Sequence, residues 1–132
     1  AFGEHVIGEE VEQSLLKAAA AENVQITEFT VAPMIQQGEG KSYHEWFIEF
    51  ENRPSDMERF ANKLNELMRN QNIYYDDLIA GNILKPLKIT PMKKNGFIDY
   101  MKSIGKLGGQ NKVPRLSNDR KIADALMKWV DN

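Results

Sequence analysis

Between Val24 and Met68 the apolar residues change their spacing once, from every second position to the steps of three and four that mark a helix. That change restricts the chain to folds in which strands are packed by helices. In "VQITEFTVAPMI", Val24 and Ile26 share one parity while Phe29 and Val31 share the other, so the segment reads as a strand with a bulge near Thr27-Glu28. Gly38 and Gly40 in "QQGEGKS" mark a hairpin-type connection to "SYHEWFIEFE", where Trp46, Ile48 and Phe50 alternate with Glu45, Phe47 and Glu49. The two strands are therefore expected to be antiparallel neighbours. The helical spacing begins after Pro54: Ser55 and Glu58 have capping-box separation, and Met57, Phe60, Ala61, Leu64, Leu67 and Met68 form one apolar stripe.

The flanking segments follow the same grammar. Val11, Leu15, Ala18 and Ala19, with acids ahead of them, predict a first helix over roughly 9–21. A shorter helix is expected from Tyr74 to Ala80, stopped by Gly81-Asn82. In "ILKPLKITPM", Leu87 and Ile89 alternate, but Pro86 and Pro91 remove two ladder donors, which sends this strand to an edge or interrupts it. Phe97, Tyr100, Met101 and Ile104 make another helical stripe that ends at Gly105. Ser117 or Asn118 is placed to cap a last helix whose Ile122, Ala125, Leu126, Trp129 and Val130 face inward. The expected fold is α+β: a small mixed sheet of three to five strands flanked by about five helices.

Composition mainly excludes. A chain of 132 residues is one domain's worth, large enough to bury a core without disulfides or a structural metal. The absence of cysteine removes disulfides, thiol nucleophiles and cysteine zinc sites, and His5 and His44 are too far apart in sequence to suggest a histidine metal site. A net charge of −2 gives no general attraction to nucleic acid. No apolar run suits a membrane span and no signal segment opens the chain, so no membrane partner and a cytoplasmic location are the default expectations. The start at Ala1, in "AFGEHVIGEEVE", reads as the middle of something and suggests a piece excised from a longer protein.

One segment fits no core or plain linker pattern. "GKLGGQNKVPRLSNDRK", residues 105–121, carries three glycines and five basic residues with almost no apolar side chains, and its part from 106 to 116 lies between two predicted helices. Gly105, Gly108 and Gly109 permit positive φ or close approach to a ligand, while Pro114 fixes one φ and restricts Val113. Lys112 would then sit on a hinge beside a stiff anchor, offering a compact charge to phosphate or carboxylate oxygens. Arg115 offers a planar fork suited to a carboxylate. The plain structural alternative is a helix exit at the glycines, a solvated Lys112, and an Arg115 paired with an acid of its own domain.

"GKLGGQNKVPRLSNDR", with "SYHEWFIEF" and "AFGEHVIGEEVEQSL", resembles the C-terminal part of the auxin-responsive acyl acid amido synthetase family, in its bacterial branch, within the adenylate-forming enzyme superfamily. The similarity covers essentially the whole chain. It implies a small C-terminal lid domain following a hinge, with "FGEHVIGEEVE" resembling the part just after that hinge, and a large N-terminal nucleotide-binding domain that is absent here and would be this domain's partner. Lys112 matches the lysine of the family's Gln-aromatic-Lys-x-Pro-Arg segment, which reaches the active site during adenylation, and Gln110, Pro114 and Arg115 match the positions around it. Asn111 stands where plant members usually have Tyr, which puts a stacking role there in doubt. The implied parent is an ATP-dependent ligase using ATP and Mg, with a carboxylic acid and an amine or amino acid as small-molecule substrates. The domain would rotate between half-reactions, and the fragment alone should bind no cofactor and be inactive. The resemblance makes Lys112 catalytic and Gln110 and Arg115 substrate-binding, while Gly105, Gly108, Gly109 and Pro114 are read as the loop hinge from their backbone properties.

The reading from another class is a stand-alone phosphate- or protein-binding module using the basic loop 106–121. Elsewhere, His44 beside Glu45 reads as a structural or surface histidine, and His5 lies near the expected hinge. Tyr74-Tyr75 with Trp46 could suggest base stacking on a sheet, but core packing explains Trp46 better and the acidic balance of the chain argues against stacking. The methionines look like core, and Glu9, Glu10 and Glu12 like a solvated helix start.

Overall fold

A computed structural model describes residues 6–35, 42–106, 108 and 111–131. Five helices and three strands follow the order α1 (Gly8–Ala21), β1 (Gln25–Met34), β2 (Tyr43–Asn52), α2 (Met57–Gln71), α3 (Ile73–Ala80), β3 (Lys88–Pro91), α4 (Gly96–Ser103) and α5 (Lys121–Leu126), closed by a 3-10 turn at Met127–Trp129. The sheet order is β1-β2-β3, with β1 antiparallel and β3 parallel to β2, so the sheet is mixed and the fold α+β.

The bulge lies where the parity changes: Ile26 faces Phe50 and Glu28 faces Glu49, which leaves Thr27 without a partner on β2. The proline-flanked third strand is short and lies at an edge, as its missing donors require. The glycines assigned to the β1–β2 connection, Gly38 and Gly40, lie outside the described residues.

Helices cover both faces of the sheet. On one face Val11 and Leu15 of α1, Phe60, Leu64 and Met68 of α2, and Tyr75 of α3 close over Phe29, Val31, Trp46 and Ile48. On the other, Phe97 and Tyr100 of α4 and Ala123 and Leu126 of α5 meet Ala32, Phe47, Met92 and Val113. Each fully buried large apolar side chain contributes roughly 1.5–3 kcal/mol to this packing.

Several local expectations need correction. Helix α2 is capped by Asp56, not by a Ser55–Glu58 box: Asp56 has extended backbone, and its carboxylate accepts the Arg59 N–H at 3.0 Å. Helix α5 begins at Lys121, later than a cap at Ser117 or Asn118 would place it. The Ser117 N–H is bonded to the Val31 carbonyl at 2.9 Å, and Asp119 Oδ1 accepts the Lys121 N–H at 3.0 Å. Ala123, not Ala125, faces inward: within α5 the buried positions are Ala123 and Leu126, one helical turn apart. Ile104 is exposed, since α4 has already ended at Ser103, and Met127 is exposed too.

Candidate functional site

The loop between α4 and α5 is built in two unlike halves. Its entrance is a glycine exit from α4: Gly105 has φ +70°, its N–H bonds the Lys102 carbonyl at 3.1 Å, and the Lys106 N–H bonds the Met101 carbonyl at 2.9 Å. These are the paired closing bonds of a left-handed helix end. Gly108 has φ +91°, and open space surrounds the position a side chain would take, so its backbone angle is what calls for glycine. The Asn111 side chain and N–H both bond the Gly108 carbonyl, at 3.2 and 3.4 Å. Gly109 and Gln110 lie outside the described residues.

The exit half is pinned to β1. Val113 is buried in the second core. The Thr30 hydroxyl donates to the Pro114 carbonyl at 2.6 Å, the Val31 N–H to the Arg115 carbonyl at 3.1 Å, and the Ser117 N–H to the Val31 carbonyl. Residues 115–117 thus run parallel to β1 for one bridge, Val31 to Leu116. Pro114 serves as an anchor here: it needs no donor, and its carbonyl takes the threonine.

Lys112 is exposed at the junction of the two halves, and among the described residues it makes no ion pair. It borders a cleft of about 270 Å³ with Lys106 at the rim, Glu28 and Glu49 as acids, and Phe97, Met101 and Val113 as apolar wall. The two acids face each other across β1 and β2, a costly arrangement unless each is compensated. Glu49 is buried and accepts the N–H groups of Asn95 at 3.0 Å and Phe97 at 3.2 Å, so it caps α4 from another strand. Glu28 is paired with Arg115.

Arg115 is held inside its own domain. Its guanidinium bonds Glu12 of α1 at 3.1 Å and Glu28 of β1, and lies 4.6 Å from the centre of the Phe29 ring. The internal ion pair weighed for Arg115 on sequence grounds is therefore present. Arg120 is likewise engaged, with Glu45 at 2.7 Å, while Glu45 also accepts the Thr90 hydroxyl at 2.5 Å.

Glu12, Glu28 and Glu49 were not singled out as site residues from sequence. The signal available for two of them was position: Glu28 follows the bulge that re-aims it, and Glu49 lies opposite it. His44 lies away from the cleft. It is buried against Tyr75, the rings 5.7 Å apart and nearly parallel, and burial lowers its pKa to about 4. Trp46 and Tyr75 are buried and Tyr74 is exposed, so they form no common stacking surface. Glu10 accepts the Ile7 N–H at 3.1 Å and the Asn72 amide at 2.9 Å, so the first acids of α1 are structural in part. His5 lies outside the described residues. No described helix is long and apolar enough to cross a membrane.

Comparison with known proteins supplies the context of the loop. A family model described as "GH3 family C-terminal domain" matches residues 9–121. A structure described as "GH3.15 acyl acid amido synthetase" is similar with a TM-score of 0.67 and 16% identity, over 94% of this chain and 22% of that one. Another, "AtGH3.15 acyl acid amido synthetase in complex with 2,4-DB", gives a TM-score of 0.69 and 13% identity, over 94% of this chain and 24% of that one. The likeness to these structures is one of fold, and this chain spans less than a quarter of their length. No curated protein matches.

Proposed function

The chain belongs to the GH3 family, as its C-terminal domain, and from that premise we propose that it is the small mobile domain of an ATP-dependent acyl-adenylating enzyme that joins a carboxylic acid to an amine or amino acid. Its partner would be the large nucleotide-binding domain of the same enzyme, and the proposed setting is the cytoplasm. The observation that carries this reading is the placement of Lys112: exposed and free of ion pairs among the described residues, between a glycine-bearing turn and a segment pinned to the sheet.

Adenylation makes such a lysine useful. A substrate carboxylate attacks the α-phosphate of ATP and pyrophosphate leaves, so two anions must approach one another. An ammonium held at that point offsets their repulsion and orients the attack. The amine then attacks the acyl carbon of the adenylate, the amide bond forms and AMP departs. Rotation of the whole domain would withdraw Lys112 between the two steps. Gln110 is proposed to contact substrate. Among the described residues no group of three or more His, Cys, Asp or Glu is arranged to hold a metal ion, and the ATP and magnesium of the proposed enzyme would lie with its large domain.

The basic loop as an independent anion-binding module is the weaker reading. Two of its five basic residues, Arg115 and Arg120, are occupied by internal carboxylates. The test is ATP–pyrophosphate exchange by the full-length parent, with a panel of carboxylic acids that includes 2,4-DB. Lys112→Ala is expected to lower exchange by about 100-fold or more. Undiminished exchange in that variant would overturn the reading.

A further inference from the structure

We infer that Arg115 is a positioning residue for Lys112: bridging Glu12 of α1 and Glu28 of β1, it fixes the backbone from which the lysine projects, and it does not contact substrate. The inference rests on the proposed role of Lys112 and goes beyond it by assigning the neighbouring arginine, together with the two glutamates, a task in the same step.

Three observations converge. First, two of the three guanidinium nitrogens are engaged: Nε bonds Glu12 at 3.1 Å, Nη1 bonds Glu28, and one face covers Phe29 at 4.6 Å. A planar fork held this way by two carboxylates and a ring is fixed in one orientation, with the side chain 30% exposed. Second, the main chain of the same residue is tied to β1 through the Val31 N–H at 3.1 Å, so side chain and backbone fix one point of the loop twice. Third, Glu28 both receives Arg115 and borders the cleft on which Lys112 opens. The bulge at Thr27 makes this possible, since it turns Glu28 to the cleft face while the core side of β1 continues with Phe29. Lys112 is three residues from Arg115, and the two between are a buried valine and a proline whose carbonyl is bonded. Little rotational freedom separates the fixed point from the lysine, so displacement of one moves the other.

The reacting groups in such a step tolerate little displacement, and a misplacement of about 1 Å can cost on the order of 100-fold in rate. In the full-length parent, steady-state pyrophosphate exchange with ATP as the varied substrate is expected to show Arg115→Ala lowering kcat by about tenfold or more while KM for ATP stays unchanged. The double variant Glu12→Gln, Glu28→Gln should reproduce that kcat loss without removing the arginine, which also covers the case in which Arg115→Ala does not fold. Arg115→Lys, which keeps the charge and loses the fork, should fall between. In a Lys112→Ala background the loss from Arg115→Ala should disappear, because the arginine acts only through the lysine. An equal further loss in that background, or a raised KM for ATP with normal kcat, would overturn the positioning role and make Arg115 a substrate contact. Full exchange in Lys112→Ala alone would instead remove the proposed function itself, so the two failures are told apart.

Discussion

Glu45 and Glu49 share a strand with Trp46, Ile48 and Phe50, and both are buried, which is tolerable only because each has found compensation. Glu45 has Arg120 and Thr90, and Glu49 has the first N–H groups of α4. Read from sequence, Glu-Phe-Glu on the alternate face looks like the wet side of a half-buried strand. The partners that allow burial lie 45 or more residues away in the chain, where no local pattern announces them. His44 is a further buried titratable group, with a measurable consequence. Its folded pKa, lowered by burial to about 4, lies below the ordinary histidine value of 6.5, so the unfolded chain takes up the proton first as the pH falls. The contribution to stability is full above pH 6.5 and is lost progressively toward pH 4, amounting to roughly 3 kcal/mol. Urea denaturation between pH 7 and pH 4 should show this slope, and His44→Phe, which keeps a ring over Tyr75, should flatten it.

Among the elements, α2 was the most legible, because its apolar stripe spans the whole helix and depends on nothing distant. Its cap was misplaced by one residue because Ser55 and Asp56 are both good cap types, and only the backbone angle selects Asp56. Asp56→Ala is accordingly expected to cost about 1 kcal/mol, with Ser55→Ala close to neutral, when thermal or urea unfolding of the two variants is compared. The bulge of β1 was legible because a change of parity is a local event. The start of α5 was not, because hydrogen bonds to β1 hold residues 115–117 in extended form, and such a tertiary tie overrides good capping residues. The same tie explains the legibility of the candidate site. Lys112 could be picked out from its motif, whereas Glu12, Glu28 and Glu49 become neighbours of the loop only once α1, β1 and β2 have assembled.

The whole molecule is a three-layer arrangement in which the central sheet separates a larger cluster under α1, α2 and α3 from a smaller one under α4 and α5. Gly96 lies at a tight point of the smaller cluster, where an added methyl would come within 3.1 Å of Trp129 Cβ and 3.3 Å of Met92 Cε. Gly96→Ala is expected to destabilise by about 1–3 kcal/mol. Native-state hydrogen exchange should show the loss first in α4 and α5, with α2 the last to open. Sheet order was only partly legible: the antiparallel pair followed from proximity, but the parallel placement of β3 depends on how α2 and α3 carry the chain across. The bond pair between Val31 and residues 115–117 has one more consequence. An outer strand with an apolar face, left bare, is a template for aggregation, and on β1 this short segment occupies part of that outer rim. In the proposed enzyme, swinging the lysine by peeling the segment away would uncover a sticky margin at every turnover. A lysine mounted on the seal of a sheet travels most safely when the entire sheet travels with it.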